Sequence, residues 1–187
     1  ISIRENDALI DAELTDGSQE IMLATQNGKA IRFSETEVRE MGRTAAGVRG
    51  IRVSNNDAAI GMVVLKREGS ILVVTEKGYG KRTVVDDYSL QHRGGSGVIT
   101  IKTNEKTGKL MAIKEVVDED DFMIITQKGI IIRQNVASIS IIGRNTQGVR
   151  LIRLDDGDTI ADVTRVFAAD GNGENGEIST NGVQGEQ

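Results

Sequence analysis

The chain has 187 residues, with no Cys, Pro or Trp and only three Phe and two Tyr. Without Cys there is neither a disulfide framework nor a thiolate metal site, which fits a reducing compartment. No apolar run approaches the ~20 residues that cross a bilayer, and no signal-peptide pattern precedes the body, so a cytoplasmic chain without a membrane partner is expected. The formal net charge is −5, but Asp170–Gln187 holds four acidic and no basic side chains. That leaves 1–169 close to neutral, and a near-neutral body still binds nucleic acid if its cations are sorted onto one surface.

The chain opens with ISIRENDALIDAEL, which matches IRVSNNDAAIGMVV at 51–64, Asn6-Asp7 falling on Asn56-Asp57. Residues 1–15 are therefore predicted to be the end of a truncated repeat, with at least one further repeat upstream. From there three segments share one pattern: IMLATQNGKAIRF (21–33), ILVVTEKGYGKRT (71–83) and MIITQKGIIIRQ (123–134). Each is an apolar run, a Thr, a turn ending in Gly and a second strand holding an Arg. The matching positions are Thr25, Thr75 and Thr126, then Gly28, Gly78 and Gly129. Downstream come GRTAAGVRGIRV (42–53), HRGGSGVITIKT (92–103) and GRNTQGVRLIRL (143–154), at spacings of 50 and then 51 residues.

Asn27-Gly28 is the pair preferred in a type I′ hairpin turn, where both central residues take positive φ. The runs 71–74 and 123–125 are apolar at every position, as in strands buried on both faces. Two more strands are predicted per repeat, at 48–53 and 59–65 in the first. No capped pattern of helical period appears.

A four-stranded unit of about 50 residues cannot bury two apolar faces alone, and radial stacking solves that problem. The prediction is an all-β chain of β-propeller or β-pinwheel repeats. Its blades span 16–66, 67–117 and 118–168, with a disordered acidic tail at 169–187. Three blades make an open arc of a larger wheel.

Aligned by repeat, the cations fall into four columns: Arg32, Arg82 and Arg133; Arg43, Arg93 and Arg144; Arg49 and Arg150, with Ile99 between; and Arg52, Lys102 and Arg153. Stacked blades set each column at one height, a curved stripe for a line of phosphates. Binding there is expected to be sequence-independent, steeply salt-dependent and able to bend a duplex. Lys81, next to Arg82, is added to the candidate DNA contacts. Strict alternation along a strand puts Arg49 and Arg52 on opposite faces, so both reach one duplex only through a bulge or a blade edge. Solvated strand positions that recur by duplication are the competing reading of these columns.

In the second repeat Gln91, His92, Arg93, Gly94, Gly95, Ser96 and Gly97 form a glycine-rich loop. It is either a backbone cradle for phosphate or a plain connector between hairpins. It lacks the Lys and Ser/Thr of a phosphate-binding Walker loop. QHRGGSG resembles the box Q-R/K-R-G-G-K/R-G of the DNA gyrase A family. EKGYGKRTVVDDYSLQ, MGRTAAGVRG and GRNTQGVRL are similar to other parts of that family's C-terminal DNA-wrapping domain. The resemblance covers residues 1 to about 168. It implies the downstream half of a six-bladed β-pinwheel whose strands are exchanged between neighbouring blades, and which wraps duplex DNA on its rim to support negative supercoiling. It also implies the partners of that enzyme: the remaining blades and the N-terminal cleavage domain of the same polypeptide, the ATPase subunit, and the bacterial nucleoid. His92 and Ser96 stand where the family's box is basic, and the copy lies next to last, so it matches a box-like fifth blade and the true box is expected upstream. The equivalent domain of topoisomerase IV and a protein-binding propeller are the alternatives.

No cofactor, metal site or catalytic group is expected in this segment. His92, the only His, has no base or metal partner set and reads as a loop contact. Asp118-Glu119-Asp120-Asp121 lacks the spacing of a calcium loop and reads as a solvated turn between blades. Tyr79 and Tyr88 carry no mark of a nucleophile, since the family's cleaving Tyr lies in another domain. The tail either competes with DNA for the cationic rim or is an inert solubilising end.

Overall fold

The computed structural model describes residues 1–3 and 5–166; the predicted tail lies outside the described residues. Each repeat folds as a hairpin followed by a returning strand. The first uses β1 (Glu20–Thr25), β2 (Lys29–Ser34) and β3 (Ala59–Leu65). The second uses β4 (Ser70–Thr75), β5 (Tyr79–Val84) and β7 (Leu110–Val116). The third uses β8 (Asp121–Thr126), β9 (Ile131–Asn135) and β11 (Ile160–Val166). A single 3-10 turn follows each hairpin, at Glu35–Glu37, Val85–Asp87 and Val136–Ser138.

The fourth strand of a sheet comes from the next repeat. β6 (Val98–Ile99), in the second repeat, pairs with β2, and β10 (Val149–Arg150), in the third, pairs with β5. The sheet orders are therefore β3-β1-β2-β6, β10-β5-β4-β7 and β11-β8-β9. This is the strand exchange that the resemblance implies. It also explains two departures from the predicted four strands per blade. Residues 48–53 form no ladder, because their counterparts pair with the blade before, and none precedes them among the described residues. The third sheet has three strands, since no later repeat among the described residues supplies a fourth.

Alternation with both faces buried is clearest in β4. Ile71 and Val73 pack with Met22, Ala24 and Val63 of the first blade and Ile113. Leu72 and Val74 pack with Phe122, Ile124 and Ile160 of the third. The third blade lacks a neighbour on one side, so in β8 only Phe122, Ile124 and Thr126 are buried while Met123 and Ile125 are half-buried, against the expectation for 123–125. At Asn27-Gly28 only the glycine takes positive φ, at 80°. The turn is thus not type I′. A three-residue loop with glycine in the left-handed position fits instead, and Gly28 N–H closes it onto the Thr25 carbonyl at 2.9 Å. The sole non-glycine residues with positive φ among the described ones are Asn6 and Asn56, the pair that the repeat alignment superposes.

The acidic turn is solvated only in part: Asp118 and Glu119 are exposed as expected, and Asp120 is not. Asp120 is 1% exposed, held by Arg67 at 2.6 Å and by the Val117 N–H at 3.1 Å. Burying a carboxylate is costly unless it is paired and hydrogen-bonded, which is what this turn provides.

Candidate nucleic-acid interface

In the first column Arg32 and Arg82 reach inward, to the following blade. Arg32 Nε donates to the Glu20 carboxylate at 2.6 Å, and Nη1 to the carbonyls of Val85 and Tyr88 at 3.2 and 3.0 Å. Arg82 repeats the arrangement, Nε donating to the Ile139 carbonyl at 2.9 Å and Nη1 to Asp118. The 3-10 turn after each hairpin presents those carbonyls, so this column clamps blade to blade. Among the described residues Arg133 pairs with Asp121 of its own hairpin alone, at 2.6 Å, and its side chain is 61% exposed.

Lys81 is fully buried. Its Nζ donates to the carbonyls of Gly143, at 2.6 Å, and Arg144, and to Thr146 Oγ1 at 3.0 Å. Burial pushes its pKa down to about 8, with Arg144 adding repulsion. Lys81 and Arg82 therefore sit inside the protein, with their donors on protein oxygens.

The second column ties together the glycine-rich loops. Arg93 Nε donates to the Glu37 carbonyl at 2.9 Å and Nη1 to the Arg49 carbonyl at 3.1 Å. Arg144 Nη1 makes the equivalent bond to Ile99 at 3.1 Å. Glu37 also accepts from the Arg93 N–H at 3.0 Å, and Nδ1 of the exposed His92 lies 3.2 Å from it. Gly94 N–H donates to the Gly50 carbonyl, and Arg52 N–H to the Gly95 carbonyl at 2.8 Å. A Cβ on Gly97 would fall 2.5 Å from the Ala30 carbonyl. The Gln91–Gly97 loop thus crosses between the first two blades with backbone packed on backbone, and Ser96 is exposed. Of its two sequence readings, this geometry favours the connector.

In the third column Arg49 is exposed, whereas Arg150 stacks over Tyr79, 5.3 Å from the ring centroid, and donates to its hydroxyl at 2.8 Å. That hydrogen bond lowers the Tyr79 pKa from its usual value. The fourth column is different. Arg52, Lys102 and Arg153 are all exposed, and none has an ion pair or side-chain hydrogen bond among the described residues. Arg43 shares that freedom. Strand alternation, which would set Arg49 and Arg52 on opposite faces, does not extend this far. The ladder stops after two residues and the chain bends.

Each fourth-column cation with a blade before it lies by that blade's hairpin turn. Thr103, next to Lys102, donates from Oγ1 to the Asn27 carbonyl at 3.2 Å. Arg153 lines an open cleft of about 440 Å³ with Lys77, Tyr79, Lys106 and Arg150, against Asp155 and Asp156. Lys106 sits 5.4 Å from the Tyr79 centroid. Lys77 and Lys106 belong to none of the four columns: Lys77 has a cationic counterpart only in Lys128, and Lys106 occupies the loop that holds the extra residue of the 51-residue spacing. Among the described residues no group of His, Asp or Glu is placed to hold a metal ion, and no helix is long and apolar enough to cross a membrane.

Comparison with known proteins gives the same architecture. The family model of the DNA gyrase C-terminal domain, beta-propeller, matches residues 19–66, 69–116 and 120–166, one match per blade. The DNA gyrase A protein of Salmonella typhimurium is 44% identical over 166 residues, 89% of this chain and 19% of its own length. That of Staphylococcus aureus (strain NCTC 8325 / PS 47) is 46% identical over 168 residues, again 89% and 19%. The chain thus spans about a fifth of the curated relatives it matches. The solved C-terminal domain of DNA topoisomerase IV superposes with a TM-score of 0.85 at 26% identity, covering 89% of this chain and 52% of that one. A DNA gyrase A C-terminal domain superposes at 0.84 and 24% identity, covering 89% and 57%, and shares the fold. With a match on every blade and strands exchanged between neighbours, the chain belongs to the DNA gyrase C-terminal domain family of β-propellers.

Proposed function

We propose that this chain binds duplex DNA without sequence preference and bends it along the blades, as part of a DNA gyrase A protein that supports negative supercoiling in the bacterial cytoplasm. The observation that carries the reading is the fourth column. Arg52, Lys102 and Arg153 recur once per blade, exposed and without side-chain partners among the described residues, while Arg32 and Arg82 of the first column are engaged between blades. Guanidinium and ammonium groups at a repeating height match a line of phosphates, and their grip works through counterion release. Lys77, Lys106 and Arg150 extend the same surface at the second blade. The partners that follow are the rest of the gyrase A polypeptide, with its cleavage domain, and the ATPase subunit of an ATP-dependent type IIA topoisomerase. The chain itself contributes binding and curvature, not chemistry. Identities of 44% and 46% to gyrase proteins favour gyrase over topoisomerase IV.

The test is DNA binding by fluorescence anisotropy across a salt series. Replacing Arg52, Lys102 and Arg153 together by Ala is expected to weaken binding and to reduce the slope of log K against log salt by about 2.7, at about 0.9 per phosphate contact. A slope unchanged in a folded triple variant removes this column from the DNA path. Binding by the parent chain that is indifferent to salt overturns the reading altogether.

A further inference from the structure

Two of the fourth-column cations hang by their own main chain from the arginine-bearing loop of the next repeat. Arg52 N–H donates to the Gly95 carbonyl at 2.8 Å, and Lys102 N–H to the Thr146 carbonyl, also at 2.8 Å. Gly95 and Thr146 occupy the same place in the repeat. The residue they rest on differs. Between the first two blades it is Ile31 of β2, fully buried, and a Cβ on Gly95 would come 3.3 Å from its Cδ1. Between the second and third it is Lys81 of β5, also fully buried. Its Nζ donates to Thr146 Oγ1 at 3.0 Å, to the Gly143 carbonyl at 2.6 Å and to the Arg144 carbonyl. One joint pairs isoleucine with glycine, the other lysine with threonine.

Burying an ammonium group costs more than burying an aliphatic side chain, and isoleucine fills the same position in the first and third repeats, as Ile31 and Ile132. Packing alone does not call for a charge here. The three protons of the ammonium group match three oxygens of one loop, and that loop carries the acceptor for Lys102. The Thr146 hydroxyl donates in turn to the Gly143 carbonyl at 3.2 Å, and Arg144 holds the Ile99 carbonyl at 3.1 Å. Both ends of the segment 99–102 are therefore tied to the loop that Lys81 holds.

We propose that Lys81 is a positioning residue for the DNA grip: its ammonium group fixes the 143–146 loop, and through the Thr146 carbonyl it sets where Lys102 stands. The inference rests on the reading of Lys102 as a phosphate contact. Arg52, whose loop rests on an aliphatic side chain, is independent of Lys81. A neutral Lys81 has two protons for three oxygens, so one tether is lost. Burial lowers its pKa to about 8; among the described residues Arg144 adds repulsion and Asp87, in the 3-10 turn, opposes it. Val73 of β4 lies across the ladder and carries no charge. The grip of Lys102 therefore loosens as pH rises through about 8, even though the fold gains stability by shedding a buried charge.

Fluorescence anisotropy of a labelled mixed-sequence duplex, titrated with the 187-residue chain at fixed ionic strength, reads this out at about pH 7 and about pH 9, below the range where exposed lysines titrate. At the lower pH, Lys81→Met is expected to weaken binding about three- to tenfold, the span of one hydrogen bond's net contribution. Thr146→Val, which removes a hydroxyl and keeps the shape, should act in the same direction and less. On a Lys102→Ala background the effect of Lys81→Met should vanish, and on Arg52→Ala it should persist. Between the two pH values the parent should lose more affinity than Lys81→Met does. Circular dichroism establishes that each variant is folded. An effect of Lys81→Met that is the same with and without Lys102 belongs to the fold or to net charge, and overturns the proposal. So does unchanged binding in both Lys81→Met and Thr146→Val while Lys102→Ala weakens it. Lys102→Ala that binds like the parent removes Lys102 from the DNA path, which overturns the underlying reading and the proposal with it.

Discussion

At the scale of single residues, the same side chain type does opposite work depending on where its strand ends. Arg82 is 4% exposed and holds a carbonyl of the third blade, so Arg82→Ala leaves the Ile139 carbonyl without its donor. A loss of about 1–3 kcal/mol is expected, measured by urea unfolding, whereas Arg153→Ala should leave the midpoint nearly unchanged. Lys81 adds a pH dependence. Its folded pKa, near 8, lies below the ordinary 10.5, so the unfolded chain binds more protons between those values. Stability from this group therefore rises as pH climbs from about 8 towards 10.5. Unfolding midpoints across that window should show the rise in the parent chain, and Lys81→Met should flatten it. A rise that persists in Lys81→Met would show that another group is responsible.

Among elements, the hairpin turns divide into those covered by a donated strand and the one that is not. Gly28→Ala would strain a left-handed position and drive Cβ into the Ile101 carbonyl. Gly129→Ala, at φ 85° with nothing within 4 Å, carries the backbone strain alone, about 1–2 kcal/mol. Thermal unfolding should rank Gly28→Ala well below Gly129→Ala, and equal losses would contradict the crossing of 100–102 over the first turn. The hairpins themselves were legible from the apolar run, the Thr and the glycine, since local chemistry specifies them. The donated strands were not. Val98–Ile99 and Val149–Arg150 are two residues long, and nothing local tells such a segment which sheet it joins.

Across the whole molecule the blades are stitched by one charged network as well as by apolar faces. Arg67, in the link between the first two blades, reaches Glu115 of β7 at 3.7 Å and Asp120 at 2.6 Å, and Arg165 of β11 lies 4.0 Å from Glu115. Burial pushes Asp120 upward, but the hydrogen bonds from Arg67 and the Val117 N–H, with the arginine charges, hold its pKa below 3.8. The stability it lends is present above the ordinary carboxylate pKa and is lost as pH falls through the lowered folded value. Arg67→Ala removes the direct ion pair of the buried Asp120 carboxylate, so a loss of about 3–5 kcal/mol and acid unfolding at a higher pH than the parent are expected, followed by circular dichroism. An acid transition at the parent's pH would show that the pairing is not what lowers Asp120. By itself, the amino-acid sequence determined the repeat, its β class, the family resemblance and the recurrence of the cations, because periodic patterning and turn chemistry are written in neighbouring residues. Only the tertiary structure decided which cations are spent between blades and which face water, and which two residues of the next repeat supply the fourth strand of the first two sheets. Those outcomes depend on carbonyls and strand edges some 50 residues away, and a column of aligned arginines carries no record of what lies across the joint.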